Sequence, residues 1–189
     1  MLRYCIPDEE LTGAIISKDE KYRYLLWRRW AGDIFDCHQS CAFIGLNPSK
    51  AGVVENDNTV RRCIGFAKSL GRDSFVMGNL WPYRTKSPKI LKQNKPNQIE
   101  GAANLDWLKW ICRNFNLVIA AWGNHGLWQK RGAEVVAALY PILAENGNDF
   151  QCLDLTQENE PRHPLYVRAD TPLVALGSLS YLELKRDLG

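Results

Sequence analysis

No stretch of the chain approaches eighteen consecutive apolar residues, so nothing in it reads as a membrane-spanning helix. The N-terminus, Met1-Leu2-Arg3-Tyr4-Cys5-Ile6-Pro7-Asp8-Glu9-Glu10, lacks the apolar segment of a signal peptide, and a cytoplasmic location is expected. Six cysteines, at positions 5, 37, 41, 63, 112 and 152, form no Cys-x-x-Cys pair. They are expected to be free and mostly buried thiols; the alternative is an iron–sulfur or zinc site built on Cys37 and Cys41 with two distant cysteines. Also missing are a Gly-x-Ser-x-Gly elbow, a Gly-rich phosphate loop and a two-His metal motif. Their absence removes the commonest signatures of serine hydrolases, nucleotide triphosphatases and zinc proteases. Acid is lacking between Asp73 and Glu100, where Arg84, Lys86, Lys89, Lys92 and Lys95 alternate with Pro82, Pro88 and Pro96. Such a basic, Pro-punctuated loop is either a phosphate-contact surface or a solvated face.

What is present is globular. At 189 residues the chain is long enough for one core and short for two, and 46% hydrophobic with 24% charged residues argues against disorder. One domain is expected, with an N-terminal hairpin extension over 1–39, a core over 40–168 and a tail over 169–189. A net charge of +3 permits an acidic partner without requiring one.

The extension reads as two strands, 13–17 and 22–29, joined by Lys18-Asp19-Glu20-Lys21. Arg28, Arg29 and Trp30 at its end are either phosphate contacts or a solvated edge. Nearly continuous apolar segments at 41–46, 74–80, 115–121 and 150–155 read as buried strands. Between them, 59–71 has helical spacing with Asn58 or Thr59 as N-cap and Gly71 as C-cap, and 99–114 and 132–146 read as helices. Pro141 is expected to kink or break the last of these. A short terminal helix is placed over 179–188. Strands alternating with helices predict an α/β fold, a three-layer α/β/α sandwich with a central four-stranded parallel sheet plus the hairpin.

In such a sheet the strand exits lie along one edge, where ligands bind. The exits here carry Asn47, Asn79, the run Trp122-Gly123-Asn124-His125 and, after a longer loop, His163. Two Asn and two His without an acid suit reading a nucleobase edge and donating to a developing anion. Each also has a plain reading as a cap, a turn or a surface residue.

Several of these pieces resemble a known superfamily. Gly45-Leu46-Asn47-Pro48-Ser49 resembles the first motif of the uracil-DNA glycosylases, closest to the mismatch-specific and thymine-DNA branch, whose Gly-Ile-Asn-Pro-Gly has Asn in place of Asp. The strand ending in Asn79 is similar to the second strand, whose terminal Asn reads the base. Residues 117–126, followed by Gln129-Lys130-Arg131-Gly132, resemble the Leu-Leu-Trp-Gly strand and its Gln-Lys-Lys-Gly sequel, and His163-Pro164-Leu165 the final His-Pro-Ser. The whole chain also resembles a bacterial and phage family, DUF1643, through its Leu-Asn-Pro-Ser, Arg-Arg-Cys, Ala-Trp-Gly and Pro-Arg-His-Pro-Leu-Tyr pieces.

The resemblance implies a uracil-DNA glycosylase-like fold and excision of a flipped base by hydrolysis of its N-glycosidic bond. It assigns Asn47 to position a water and His163 to stabilise the departing base. Asn79 then reads the base beside Gly45, Leu46 and Ser49, with Phe66, or Trp81, stacking on it. Phosphate or strand contacts fall to Arg84, Lys86, Arg162, Asn124 and His125. The implied partner is DNA and the acting unit a monomer, with no cofactor, metal or membrane. Ser49 and Lys50 stand where the uracil-specific branch has Tyr-His, which predicts room for a 5-substituted pyrimidine, mismatched or from modified phage DNA, and a role in antiviral defence. Two alternatives are a DNA- or nucleotide-binding module without catalysis on the same fold, and a base-modifying enzyme.

Overall fold

The computed structural model describes residues 11–33, 36, 38–49 and 55–187, so Cys5, Cys37 and Lys50 lie outside the described residues. Among the described residues seven strands form one sheet: β1 (Thr12–Ile16), β2 (Arg23–Arg29), β3 (Ser40–Gly45), β4 (Ser74–Asn79), β5 (Val118–Ala120), β6 (Gln151–Cys152) and β7 (Val174–Ala175). Their order is β1-β2-β4-β3-β5-β6-β7. The inner run β4-β3-β5-β6 is parallel, while β1, β2 and β7 are antiparallel to their neighbours. The expectation of a four-stranded parallel sheet with a separate hairpin is therefore corrected to a mixed seven-stranded sheet. The hairpin strands extend it, because β2 pairs with β4 from Leu26 opposite Met77 to Arg29 opposite Ser74. Arg28 is accordingly no edge residue: it is 3% exposed and donates to Asn56 Oδ1, Trp27 O and Glu55 O.

Helices cover both faces. All six residues of β3 and of β4 are buried, and successive side chains feed opposite cores. Cys41 and Phe43 pack with Cys63, Phe66 and Ala67 of α1 (Asn58–Ser69). Ala42 and Ile44 face Leu108 and Ile111 of α4 (Asn104–Asn114) and Val136 and Leu139 of α5 (Arg131–Glu145), with Tyr181 of α6 (Ser178–Asp187) in the same cluster.

Several boundaries differ from expectation. The cap of α1 is Asp57, which accepts from Val60 N, rather than Asn58 or Thr59. The basic loop contains two single-turn helices, α2 (Pro88–Leu91) and α3 (Pro96–Ile99), the second cut off from α4 by a turn. Helix α5 runs through Pro141 unbroken, since Pro141 and Ala137, whose carbonyl loses its donor, both face solvent. Cys41, Cys63, Cys112 and Cys152 are free and buried, and burial raises all four thiols, Cys41 and Cys112 to about 12 and Cys152 to about 11. No helix among the described residues is long and apolar enough to cross a membrane.

The connections position the site. From β3 the chain passes through α1 to β4 on one side, and from β4 it crosses to β5 on the other side of β3. At such a switch the loops leaving the strands diverge, and a crevice opens at their carboxyl ends.

Candidate functional site

A cavity of about 450 Å³ occupies that crevice, within the usual range for a small-molecule or nucleotide site. Four loops build its wall.

The first loop follows β3. Asn47 Nδ2 donates to Thr85 O at 2.8 Å and to Pro48 O at 3.1 Å. Both partners are carbonyls, which accept only, so the amide is held with nitrogen toward them and Oδ1, without a donor among the described residues, is its remaining acceptor. Ser49 Oγ donates to the Asp57 carboxylate, tying this loop to the start of α1. Asn79, at the end of β4, is 2% exposed. It approaches the first loop because Gly45 has no side chain: a Cβ there would lie 3.0 Å from Asn79 Oδ1.

The third loop, after β5, turns at Gly123, whose φ of +67° suits glycine, and a Cβ there would meet His163 Cβ at 3.3 Å. Asn124 and His125 follow as exposed residues at the rim, and burial with the Lys92 charge nearby lowers the His125 pKa.

The fourth loop brings His163. Its base is tied down: Gly123 N donates to Pro161 O, and Arg162 pairs with Asp154 at 3.1 Å. Beneath it Glu160, fully buried, accepts from Trp122 Nε1 at 2.7 Å, from Tyr181 and from Lys185. Burial pushes the Glu160 carboxyl up, opposed by those three donors. Above it, Arg62 of α1 donates to Pro164 O at 3.1 Å and to Val167 O. Leu165 N donates to His163 Nδ1 at 3.3 Å, which leaves the ring proton on Nε2 as a donor. Burial lowers the His163 pKa, with Asp57 opposing and His125 reinforcing the shift, so the ring is neutral near pH 7.

Ten of the thirteen residues singled out in the sequence line this one cavity: Gly45, Leu46, Asn47, Ser49 and Asn79 inside, and Lys86, Asn124, His125, Arg162 and His163 with them. Three do not. Phe66 is 3% exposed, turned into the core between α1 and the sheet with Arg62 over its ring, and cannot stack on a ligand. Trp81, its alternative, is equally buried beneath Arg131. Arg84 faces the β1–β2 turn, donating to Glu20 O at 2.9 Å.

Sequence reasoning missed Arg23, Asp57 and Tyr166, all of which line the cavity. Tyr166 is 77% exposed with its ring 5.7 Å from that of His163, and an aromatic two residues after a His-Pro pair was the available signal. Arg23 is 2% exposed, and its Nε and Nη1 find no acceptor among the described residues. Here the β1–β2 register slips, Ile15 facing Leu25 but Ile16 facing Arg23. The extra residue, Tyr24, makes a bulge, a device that re-aims a neighbouring side chain. Simple alternation along the strand could not reveal it.

Among the described residues no three His, Cys, Asp or Glu side chains gather as a metal site. Compared with known proteins, the chain matches the family model of DUF1643, described as a protein of unknown function, over residues 23–165. No curated protein and no solved structure matches it.

Proposed function

The chain belongs to the DUF1643 family, and we propose that its cavity is the base pocket of a DNA glycosylase with a uracil-DNA glycosylase-like core. The observation that carries this reading is the pairing of a fixed acceptor, Asn47 Oδ1, with a fixed donor, His163 Nε2–H, in one cavity between the exits of β3 and β5.

In this scheme a nucleotide is flipped out of the stack and its base enters the cavity. The C1′–N bond breaks with its electron pair moving onto the base, and His163 Nε2–H donates to the base oxygen on which negative charge grows. A water held by Asn47 Oδ1 adds through its oxygen to C1′. One of its protons passes to the released base. An amide is not a base of useful strength, so Asn47 aligns the water rather than deprotonating it. Asn79 Nδ2, buried without an acceptor among the described residues, reads an acceptor on the base edge. Lys86, Arg162, Asn124 and His125 contact the flanking strand. Leu165 and Tyr166, exposed beside His163, take the space left in the stack. Ser49 leaves room beside a pyrimidine C5, so the base is a 5-substituted pyrimidine, which suits a defence against phage with modified DNA.

The test is release of uracil, thymine, 5-hydroxymethylcytosine and its glucosylated form from otherwise identical duplexes, read as alkali-labile sites. Asn47→Ala and His163→Ala are expected to lower single-turnover release by about 10²–10⁴-fold each. Because no metal enters the scheme, release persists in EDTA. DNA binding without release of any base would instead favour the binding module, and faster release of uracil than of every 5-substituted base would overturn the role of Ser49.

A further inference from the structure

Two side chains in the cavity wall hold donors with nothing to receive them. Arg23 Nε and Nη1 and Asn79 Nδ2 are buried without an acceptor among the described residues, and each residue is 2% exposed. They sit on neighbouring strands, β2 and β4, which pair from Leu26 opposite Met77 to Arg29 opposite Ser74. Both line the same cavity.

The other deeply buried cations among the described residues are matched. Arg28 donates to Asn56 Oδ1 and two carbonyls, Arg131 pairs with Glu100 and Glu134, and Lys185 pairs with Glu160. Asp57 is the sole carboxylate in the cavity wall among the described residues, and its oxygens accept from Val60 N and Ser49 Oγ. Burial, with Arg84 and Arg28 nearby and Asp57 opposing, lowers Arg23 to about 10, which still leaves it charged at neutral pH. A buried charge with unsatisfied donors is costly for a fold to keep. Costs of this kind are retained at functional sites, where a ligand can meet the unsatisfied groups.

We propose that Arg23 and Asn79 form an oxyanion subsite inside the cavity, and that the natural ligand places a phosphate or carboxylate group there. A guanidinium presents parallel N–H bonds to two oxygens of such a group, and the Asn79 amide supplies a further donor. The subsite stands whether or not the cavity cleaves a glycosidic bond. Resting on that reaction, it would select a base with an acidic substituent; for a free mononucleotide it takes the phosphate.

The experiment is calorimetric titration of uridine 5′-monophosphate against uridine, and of 5-carboxyuracil against uracil. It is run in the wild type and in Asn47→Ala, so that the answer does not depend on base release. At least one anionic probe is expected to bind tenfold or more tighter than its neutral counterpart. A gain with the nucleotide alone assigns a phosphate, and a gain with 5-carboxyuracil alone assigns a carboxylate on the base. Arg23→Gln is expected to abolish the gain while changing neutral-probe affinity less than threefold, and Arg23→Lys to keep part of it. Asn79→Asp, which keeps the shape and adds a negative charge, provides a second variant and is expected to lose the gain too. Arg23→Met, relieved of the unmatched charge, is expected to melt no lower than the wild type without ligand. Equal binding of charged and neutral probes, or an undiminished gain in Arg23→Gln, overturns the proposal.

Discussion

Asn47 shows how much one amide decides. Its nitrogen is committed to two carbonyls, so replacing it with Asp would remove both donors and set a carboxylate against Pro48 O and Thr85 O. Asn47→Asp is expected to destabilise the protein by about 1–3 kcal/mol, measured by urea unfolding, because buried acceptors lose their partners. Unchanged stability would mean that the amide faces the other way. His163 allows a complementary test. Nitrogen-15 NMR should find its proton on Nε2 and its titration below the ordinary 6.5, as burial dictates. The sign of the linkage follows. Below 6.5 the unfolded chain takes up a proton that folded His163 refuses, so stability is full above that pH and falls beneath it. Between about pH 7.5 and about pH 5.5 the wild type should lose more unfolding free energy than His163→Gln.

At the level of elements, the loop carrying His163 is held from both sides. Arg62 reaches from α1 to Pro164 O and Val167 O. Arg62→Met should therefore raise hydrogen exchange at 165–167 and slow base release, at a stability cost of only about 1–3 kcal/mol. Equal exchange in variant and wild type would show that the loop is held by other contacts. On the other side Lys185 of α6 pairs with Glu160 at 2.9 Å, the two side chains 6% and 0% exposed. Lys185→Met would strand a buried carboxylate, and a loss of about 3–5 kcal/mol is expected in denaturant unfolding. The C-terminal helix, far along the chain from any motif, is thus part of what positions the site.

Across the whole molecule, charge is nearly balanced, 24 basic against 21 acidic residues, yet its distribution is not. The acid-free segment from 74 to 99 sets exposed Lys86, Lys89, Lys92 and Lys95 on and around α2 and α3, with Lys86 in the cavity wall and Lys92 acting on His125. If this surface meets phosphates, neutralising Lys86, Lys89 and Lys92 together should reduce the slope of log affinity against log salt by about 2–3, since each contact contributes about 0.7–0.9. An unchanged slope would leave the segment as a solvated face.

Sequence alone was sufficient wherever the signal is local. Apolar runs at 41–46 and 74–80 marked strands covered on both faces, helical spacing marked α1, and turn residues placed Asn47, Asn79, Asn124, His125 and His163 at strand exits. Periodicity records which side of a segment is buried, however, not what buries it. Phe66 therefore read as a stacking residue when it belongs to the core, and the hairpin read as an extension when β2 pairs with β4 inside the sheet. The strand order decided that the exits of β3 and β5 flank one crevice, and no local pattern encodes that order. Arg23 depended on tertiary structure most of all: a register slip between Ile15 and Ile16 lies beside it, and only the packing of four distant loops leaves its Nε and Nη1 without an acceptor among the described residues. Local sequence sets the chemistry available at each strand end, whereas long-range pairing decides which of those groups meet.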